Sequence, residues 1–255
     1  ALGAMAAMTY ALRALDLETG RFHRAPNPLF ALAIPTAAQP RSLASWSSAD
    51  GATSAPFVLA LSSAQASVSV VSAAELKLVA TAGKQAIDLP GVPLALAMTA
   101  PAGDGSVRGV VAVSPAAEEP ALYTVTLPAG LGADPSLLAA VVPERRAPLG
   151  EAIPRVLAAS PANADLVAVG DRISRPDALM LVDLASGNVE RFEVGGPVSA
   201  LAFDPSGSRL YGLLDSESCA AAGTPCAGLF GFSISERRLL DGSPLEIPGV
   251  PRGLA

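Results

Sequence analysis

The sequence has little of what most catalytic and metal sites are built from. Its 255 residues include one histidine, His23, and two cysteines, Cys219 and Cys226. A metal site usually needs several His, Cys or carboxylate ligands, and a serine or cysteine nucleophile usually needs a histidine base. No Gly-x-Gly-x-x-Gly or Walker-type loop occurs. We therefore interpret His23 as a solvated strand residue and predict no metal, no cofactor and no nucleotide site.

Charged residues are also scarce. They make up 16% of the chain, the net charge is −6, and no long run of basic residues occurs. This balance argues against binding to nucleic acid or to anionic lipid, while 51% hydrophobic residues exclude intrinsic disorder. No uninterrupted apolar run reaches the ~18 residues of a spanning helix. The sequence therefore predicts no membrane-spanning segment.

The two cysteines lie close together, separated by small residues, glycine and proline. This spacing predicts an exposed loop that a Cys219–Cys226 disulfide closes, and two free thiols are the alternative. A disulfide favours an oxidising compartment outside the cytoplasm, whether periplasmic, secreted or at the cell surface.

A short phrase, a proline followed by Leu-Ala, recurs along the chain. Successive copies begin 43 to 61 residues apart, at Pro40, Pro93, Pro154, Pro197 and Pro251. Each of the first four copies is followed by a turn rich in Asp, Asn or Gly and then by further short apolar runs, which indicates hairpins and strands. Four short strands per repeat, with almost no helical periodicity, predict an all-β fold, a β-propeller of four-stranded antiparallel blades.

Two segments carry a family resemblance. Residues 194–211 read Val-Gly-Gly-Pro-Val-Ser-Ala-Leu-Ala-Phe-Asp-Pro-Ser-Gly-Ser-Arg-Leu-Tyr, and residues 182–189 before them contain an Asp-Leu-x-Ser-Gly turn that matches Asp16–Gly20. Together they resemble the YVTN-type β-propeller repeat. The resemblance implies a repeat-built surface, periplasmic or secreted protein, and a minority of this group are lactonase-like or lyase-like enzymes.

The ends of the chain predict how the ring closes. The last copy of the phrase, 251–255, reads as a single inner strand, while the first residues read as the remaining strands of a blade. We predict one domain, 1–255, of five blades: 1–39 plus 250–255, 40–92, 93–153, 154–196 and 197–249. A fragment of a longer, commonly seven-bladed, propeller is the alternative.

Arginine directly follows the proline in three copies of the phrase, at Arg41, Arg155 and Arg252, while Leu94 and Val198 follow it in the other two. Equivalent positions in a propeller converge at one mouth of the central channel. Guanidinium groups there would bind a carboxylate or phosphate. The alternative is that each arginine pairs with a carboxylate of a neighbouring blade and has a structural role.

These observations predict a non-catalytic, extracytoplasmic binding or scaffolding module. Its partner would be a protein or a small anionic ligand, and it could form a subunit of a surface assembly. The alternative is a lactonase- or lyase-like enzyme working at the channel mouth. Three further residues leave alternatives open. Trp46 either packs between blades or lines the channel. Asp215 and Glu217 either lie in a solvated loop or bind a metal cation.

Overall fold

The computed structural model describes residues 40–46, 56–173, 176–215 and 228–247, together with the backbone of four two-residue strands near the start. These are β1 (Ala11–Leu12), β2 (Leu15–Asp16), β3 (Arg21–Phe22) and β4 (Ile34–Pro35), in which β1 pairs with β4 and β2 with β3.

Four antiparallel sheets follow, one for each of four copies of the phrase. Blade I contains β5 (Pro40–Ala44), β6 (Phe57–Ser62), β7 (Ser67–Ser72), β8 (Lys77–Leu78) and β9 (Ile87–Asp88). Blade II contains β10 (Gly91–Met98), β11 (Val107–Pro115), β12 (Ala121–Leu127) and β13 (Glu144–Pro148). Blade III contains β14 (Pro154–Ala159), β15 (Leu166–Asp171), β16 (Leu179–Asp183) and β17 (Val189–Phe192). Blade IV contains β18 (Val198–Phe203), β19 (Arg209–Leu214), β20 (Gly228–Ser233), β21 (Arg238–Leu239) and β22 (Leu245–Glu246).

The first strand of each blade is the inner one. The inner strands β5, β10, β14 and β18 lie next to one another in that order, and within each blade the strands pair in sequence order away from them. In blades I and IV the last short strand, β9 or β22, pairs with the third strand beside the fourth. The fold is therefore the predicted all-β propeller. The connection between β12 and β13 contains two short 3₁₀ helices, Ala129–Gly132 and Pro135–Ala140.

The hydrophobic core lies between blades, in three clusters. Strand β11 shows the arrangement, since Val111 and Val113 belong to the cluster shared with blade I, whereas Val110 and Ala112 belong to the cluster shared with blade III. A third cluster joins blades III and IV. Because successive side chains of a strand point to opposite faces, and both faces are covered, these strands read as continuous apolar runs rather than as an alternating pattern.

The predicted turns use aspartate side chains as acceptors. Asp183 Oδ1 accepts the backbone N–H groups of Ala185 and Ser186, both at 2.9 Å, and Gly187 follows with φ of 75°. The Ser186 N–H bond lowers the pKa of Asp183 below its ordinary value. Strands β2 and β3 pair with Asp16 opposite Arg21. This is the register of β16 and β17, in which Val182 lies opposite Val189. The predicted likeness of these two hairpins therefore extends to their backbone pairing.

Several predictions fall outside the described residues. They include His23, the Cys219–Cys226 pair, Arg252, the turn at Asp50 and Gly51, and the strand 251–255 that we expect to complete the first blade. Ring closure, the blade boundaries and the count of five blades therefore stay predictions. In the part of the chain that the structure describes, no helix is long and apolar enough to cross a membrane.

Candidate functional site

A β-bulge recurs at the start of every described inner strand. The pairing with the second strand shifts between Pro40 and Ser42, between Pro93 and Ala95, between Pro154 and Val156, and between Val198 and Ala200. A bulge adds one residue that has no partner across the ladder and redirects its side chain. The extra residues are Arg41, Leu94, Arg155 and Ser199.

This register corrects the sequence alignment in blade IV. Val198 was assigned to the position of the arginines because it follows Pro197. In the structure Val198 pairs as Pro154 does, and Ser199 occupies the bulge. The physical reason is that this copy has one more residue between its proline and its Leu-Ala, and the ladder aligns the Leu-Ala pairs rather than the prolines.

The structure brings two of the three predicted arginines together. Arg41 of blade I and Arg155 of blade III line one cavity of about 490 Å³, with Leu94 of blade II. Arg172, which the sequence analysis did not single out, lines the same cavity with Asp215. We call this cavity the arginine mouth. The third predicted arginine, Arg252, lies outside the described residues.

The arginines of the mouth differ in their partners. Arg155 forms a salt bridge with Asp215 of blade IV, whose side chain is 14% exposed. This contact is the pairing with a neighbouring blade that would give Arg155 a structural role. It also gives Asp215 a protein partner instead of a metal cation. Arg41 and Arg172 are exposed, and neither forms an ion pair with another described residue.

A buried aspartate holds the loops of the mouth together. Asp171, at the end of β15, is fully buried, and its Oδ1 accepts the backbone N–H groups of Ile153 and Ile173, both at 3.0 Å. The backbone N–H of Arg172 in turn donates to the Ile153 carbonyl at 3.0 Å. The segment leading into Arg155 and the segment carrying Arg172 are thus fixed to each other. Sequence analysis missed Asp171 and Arg172, although Asp171 is the last residue of β15 and Asp215 directly follows β19, so both aspartates lie at the end of a second strand.

Two more cavities continue along the inner strands. A cavity of about 270 Å³ shares Arg41, Leu94 and Arg155 with the arginine mouth, and it also contacts Leu96 and Leu157. The third, of about 660 Å³, shares Leu96 and Leu157 with the second and opens at the far ends of the inner strands. We call the third cavity the apolar chamber. Its described lining also includes Leu43, Trp46, Met98, Leu201 and Phe203.

Trp46 combines the two roles that the sequence left open. It is half-buried, packs against the core cluster shared by blades I and II, and lines the apolar chamber. Since it is the only tryptophan in the chain, tryptophan fluorescence reports on this one position in the chamber lining.

The chemistry available at the arginine mouth is anion binding. Its described lining brings three guanidinium groups against one carboxylate, in a protein whose net charge is −6. Guanidinium groups donate paired N–H bonds to carboxylate or phosphate oxygens. Among the described residues, no group of three or more His, Cys, Asp or Glu side chains could hold a metal ion.

Comparison with known proteins shows similarity of fold. Hydrazine synthase of Kuenenia stuttgartiensis superimposes with a TM-score of 0.57 at 14% identity, covering 88% of this chain and 57% of that chain. The present chain thus spans a little over half of that structure. At this identity the similarity concerns the fold alone.

Two further solved structures superimpose more loosely. The WD40 domain of Pan2 from Neurospora crassa has a TM-score of 0.49 at 11% identity, covering 78% of this chain and 51% of that chain. A chain of a nidogen/laminin complex has a TM-score of 0.46 at 14% identity, covering 74% of this chain and 62% of that chain. Neither similarity adds to the fold argument. No protein-family model and no curated protein matches the sequence.

Proposed function

We propose that this propeller is a non-catalytic binding module that holds an anionic group of its ligand at the arginine mouth. The observation that carries the proposal is that Arg41 and Arg155, from two different blades, occupy the same bulge position and line one cavity. Arg172 adds a third guanidinium to that cavity from a loop that Asp171 holds in place.

The salt bridge between Arg155 and Asp215 fits a binding role as well as a structural one. It orients the Arg155 guanidinium while the Arg41 and Arg172 side chains stay exposed. An anion that enters the mouth meets a positioned donor, and it contributes a second negative charge to a site with three positive ones. Because the mouth is concave, these charges are less screened by salt than charges on a flat surface.

We also propose that the chain is a YVTN-type propeller that works outside the cytoplasm. The common register of the hairpins at Asp16 and Asp183 supports the repeat type. The spacing of Cys219 and Cys226 supports an oxidising compartment.

Titration with a short carboxylate tests the function. We expect butanoate to shift the backbone amide NMR signals of Arg41 and Arg155 in a saturable manner. Arg41→Gln should weaken butanoate binding at least about tenfold, since a hydrogen bond to a charged group contributes roughly 1.5–3 kcal/mol. Arg209→Gln is the matched control, because Arg209 is an exposed strand arginine outside the mouth. Equal binding by the two variants would refute the proposal.

A further inference from the structure

The three cavities together form one path with a gradient of polarity. The arginine mouth and the 270 Å³ cavity share Arg41, Leu94 and Arg155, and that cavity shares Leu96 and Leu157 with the apolar chamber. A ligand that enters at the guanidinium groups can therefore continue along the inner strands past leucine side chains. The charged end and the apolar end of this path are lined by the same inner strands, β5, β10 and β14.

The apolar chamber is lined by equivalent residues of all four described blades. The leucine of the repeated phrase contributes from each, as Leu43, Leu96, Leu157 and Leu201. Leu43 is 55% exposed, whereas Leu96, Leu157 and Leu201 are 7–9% exposed, because these three also pack in the clusters between blades and present only a small part of their surface to the chamber. The chamber has a volume of about 660 Å³, within the range of about 300–1,000 Å³ that is typical of small-molecule sites. Its lining combines these apolar side chains with Ser45 and Asp204.

The distance between the two ends suits a linear ligand. Residues 41 to 46 of blade I run from the arginine mouth to the chamber, and a strand rises about 3.3 Å per residue, so the path is about 17 Å long. A small inorganic anion would occupy only the first part of this path. A ligand with an anionic head and an extended hydrocarbon chain would contact both ends.

We propose, building on the anion-binding function above, that the ligand is a single-chain amphiphile, a free long-chain carboxylate. Its carboxylate binds at Arg41, Arg155 and Arg172, and its hydrocarbon chain lies along the leucines into the apolar chamber. Charge complementarity selects the head, and the apolar side chains of the chamber, among them Leu43, Trp46 and Phe203, select the chain. The repeated phrase then has two roles in one ligand site, since its proline-adjacent residue binds the head and its leucine contacts the chain.

Chain length is the first test. In a series from butanoate to dodecanoate, below the micelle concentration, affinity should rise about three- to fourfold for each CH₂ group that leaves water. Dodecanoate should change the fluorescence of Trp46, whereas butanoate should not. Affinity independent of chain length, with unchanged Trp46 fluorescence, would overturn the proposal. Dodecanol binding as tightly as dodecanoate would overturn it too, since the arginines would then contribute nothing.

A charged substitution in the chamber is the second test. Leu43→Glu places a carboxylate in the apolar lining at an already exposed position, so the fold should tolerate it. It should weaken dodecanoate binding at least tenfold more than it weakens butanoate binding. Val142→Glu is the matched control, because Val142 is 62% exposed and does not line the chamber. Equal dodecanoate affinity in the two variants would contradict the proposal.

The two proposals fail in different ways. If butanoate binds and Arg41→Gln weakens it, but dodecanoate binds no more tightly, the anion-binding function stands and the long-chain ligand is wrong. If neither carboxylate binds, both proposals are wrong.

Discussion

The packing between blades III and IV depends on the absence of a side chain at Gly170. This residue lies in β15, and a Cβ built there would be 2.6 Å from Val156 Cγ1 and 2.8 Å from Val198 Cγ1. Val198 Cβ would be only 2.9 Å away. Both valines are β-branched and have few alternative rotamers, and Val198 is fully buried. Gly170→Ala therefore forces the first residues of β18 away from blade III.

Two opposing effects set the magnitude. Overpacking a core typically costs about 1–3 kcal/mol, whereas replacing glycine with alanine restricts the unfolded chain and returns about 0.4–1 kcal/mol. The clash is the larger effect, so we expect a net loss of about 0.5–2.5 kcal/mol. For a domain of this size that lowers Tm by roughly 1–10 °C.

Calorimetry and urea unfolding measure this loss. Gly103→Ala is the control, because a Cβ at Gly103 would meet nothing within 4 Å, and it should match or slightly exceed the wild type. In a Val198→Ala background the Gly170→Ala penalty should shrink without vanishing, since Val198 Cγ1 is removed while the contacts with Val156 Cγ1 and with the Cβ at position 198 remain. If Gly170→Ala is as stable as Gly103→Ala, or if its penalty is the same in both backgrounds, the reasoning is wrong.

Three further predictions concern other parts of the molecule. Asp183→Ala should lower the free energy of unfolding by about 0.5–1.5 kcal/mol for each lost turn hydrogen bond. Because the pKa of Asp183 is lowered in the fold, this difference from wild type should shrink as the pH falls from about 4 through that lowered pKa. Unfolding curves at pH 7 and pH 3 check this, and an equal loss of stability at both would contradict it. Asp215→Asn should tighten butanoate binding several-fold, because asparagine keeps an oxygen that can orient the Arg155 guanidinium while the competing negative charge is removed, and weaker binding by titration would contradict this prediction. Cys219 and Cys226 should resist alkylation until the protein is reduced, as intact mass would show, and labelling of the native protein without reductant would refute the disulfide.

Much of the fold could be predicted because its signals are local. Turn residues and short apolar runs predicted several short strands in each repeat, and the structure has them, as in β12 and β19. Asp183 and its Gly187 turn were predicted for the same reason, since a side-chain acceptor followed by a residue of positive φ defines the turn within a few residues.

The parts that depend on pairing between strands could not be predicted in the same way. The bulge at Arg41 and Arg155 requires knowing which residues of the second strand lie opposite, and the sequence pattern does not contain that register. The misassignment of Val198 follows from this, although aligning the phrase on its Leu-Ala pair would have identified Ser199. The apolar chamber depends on the spacing of the inner strands around the axis, which no single repeat determines.

The central claim is that equivalent arginines of different blades form one anion site. Butanoate titration of a variant carrying Arg41→Gln, Arg155→Gln and Arg252→Gln together, beside the Arg209→Gln control, tests it most directly. The claim predicts that the triple variant keeps the wild-type Tm to within a few degrees and loses measurable binding, while the control binds as the wild type does. Undiminished butanoate binding by a folded triple variant would contradict the claim.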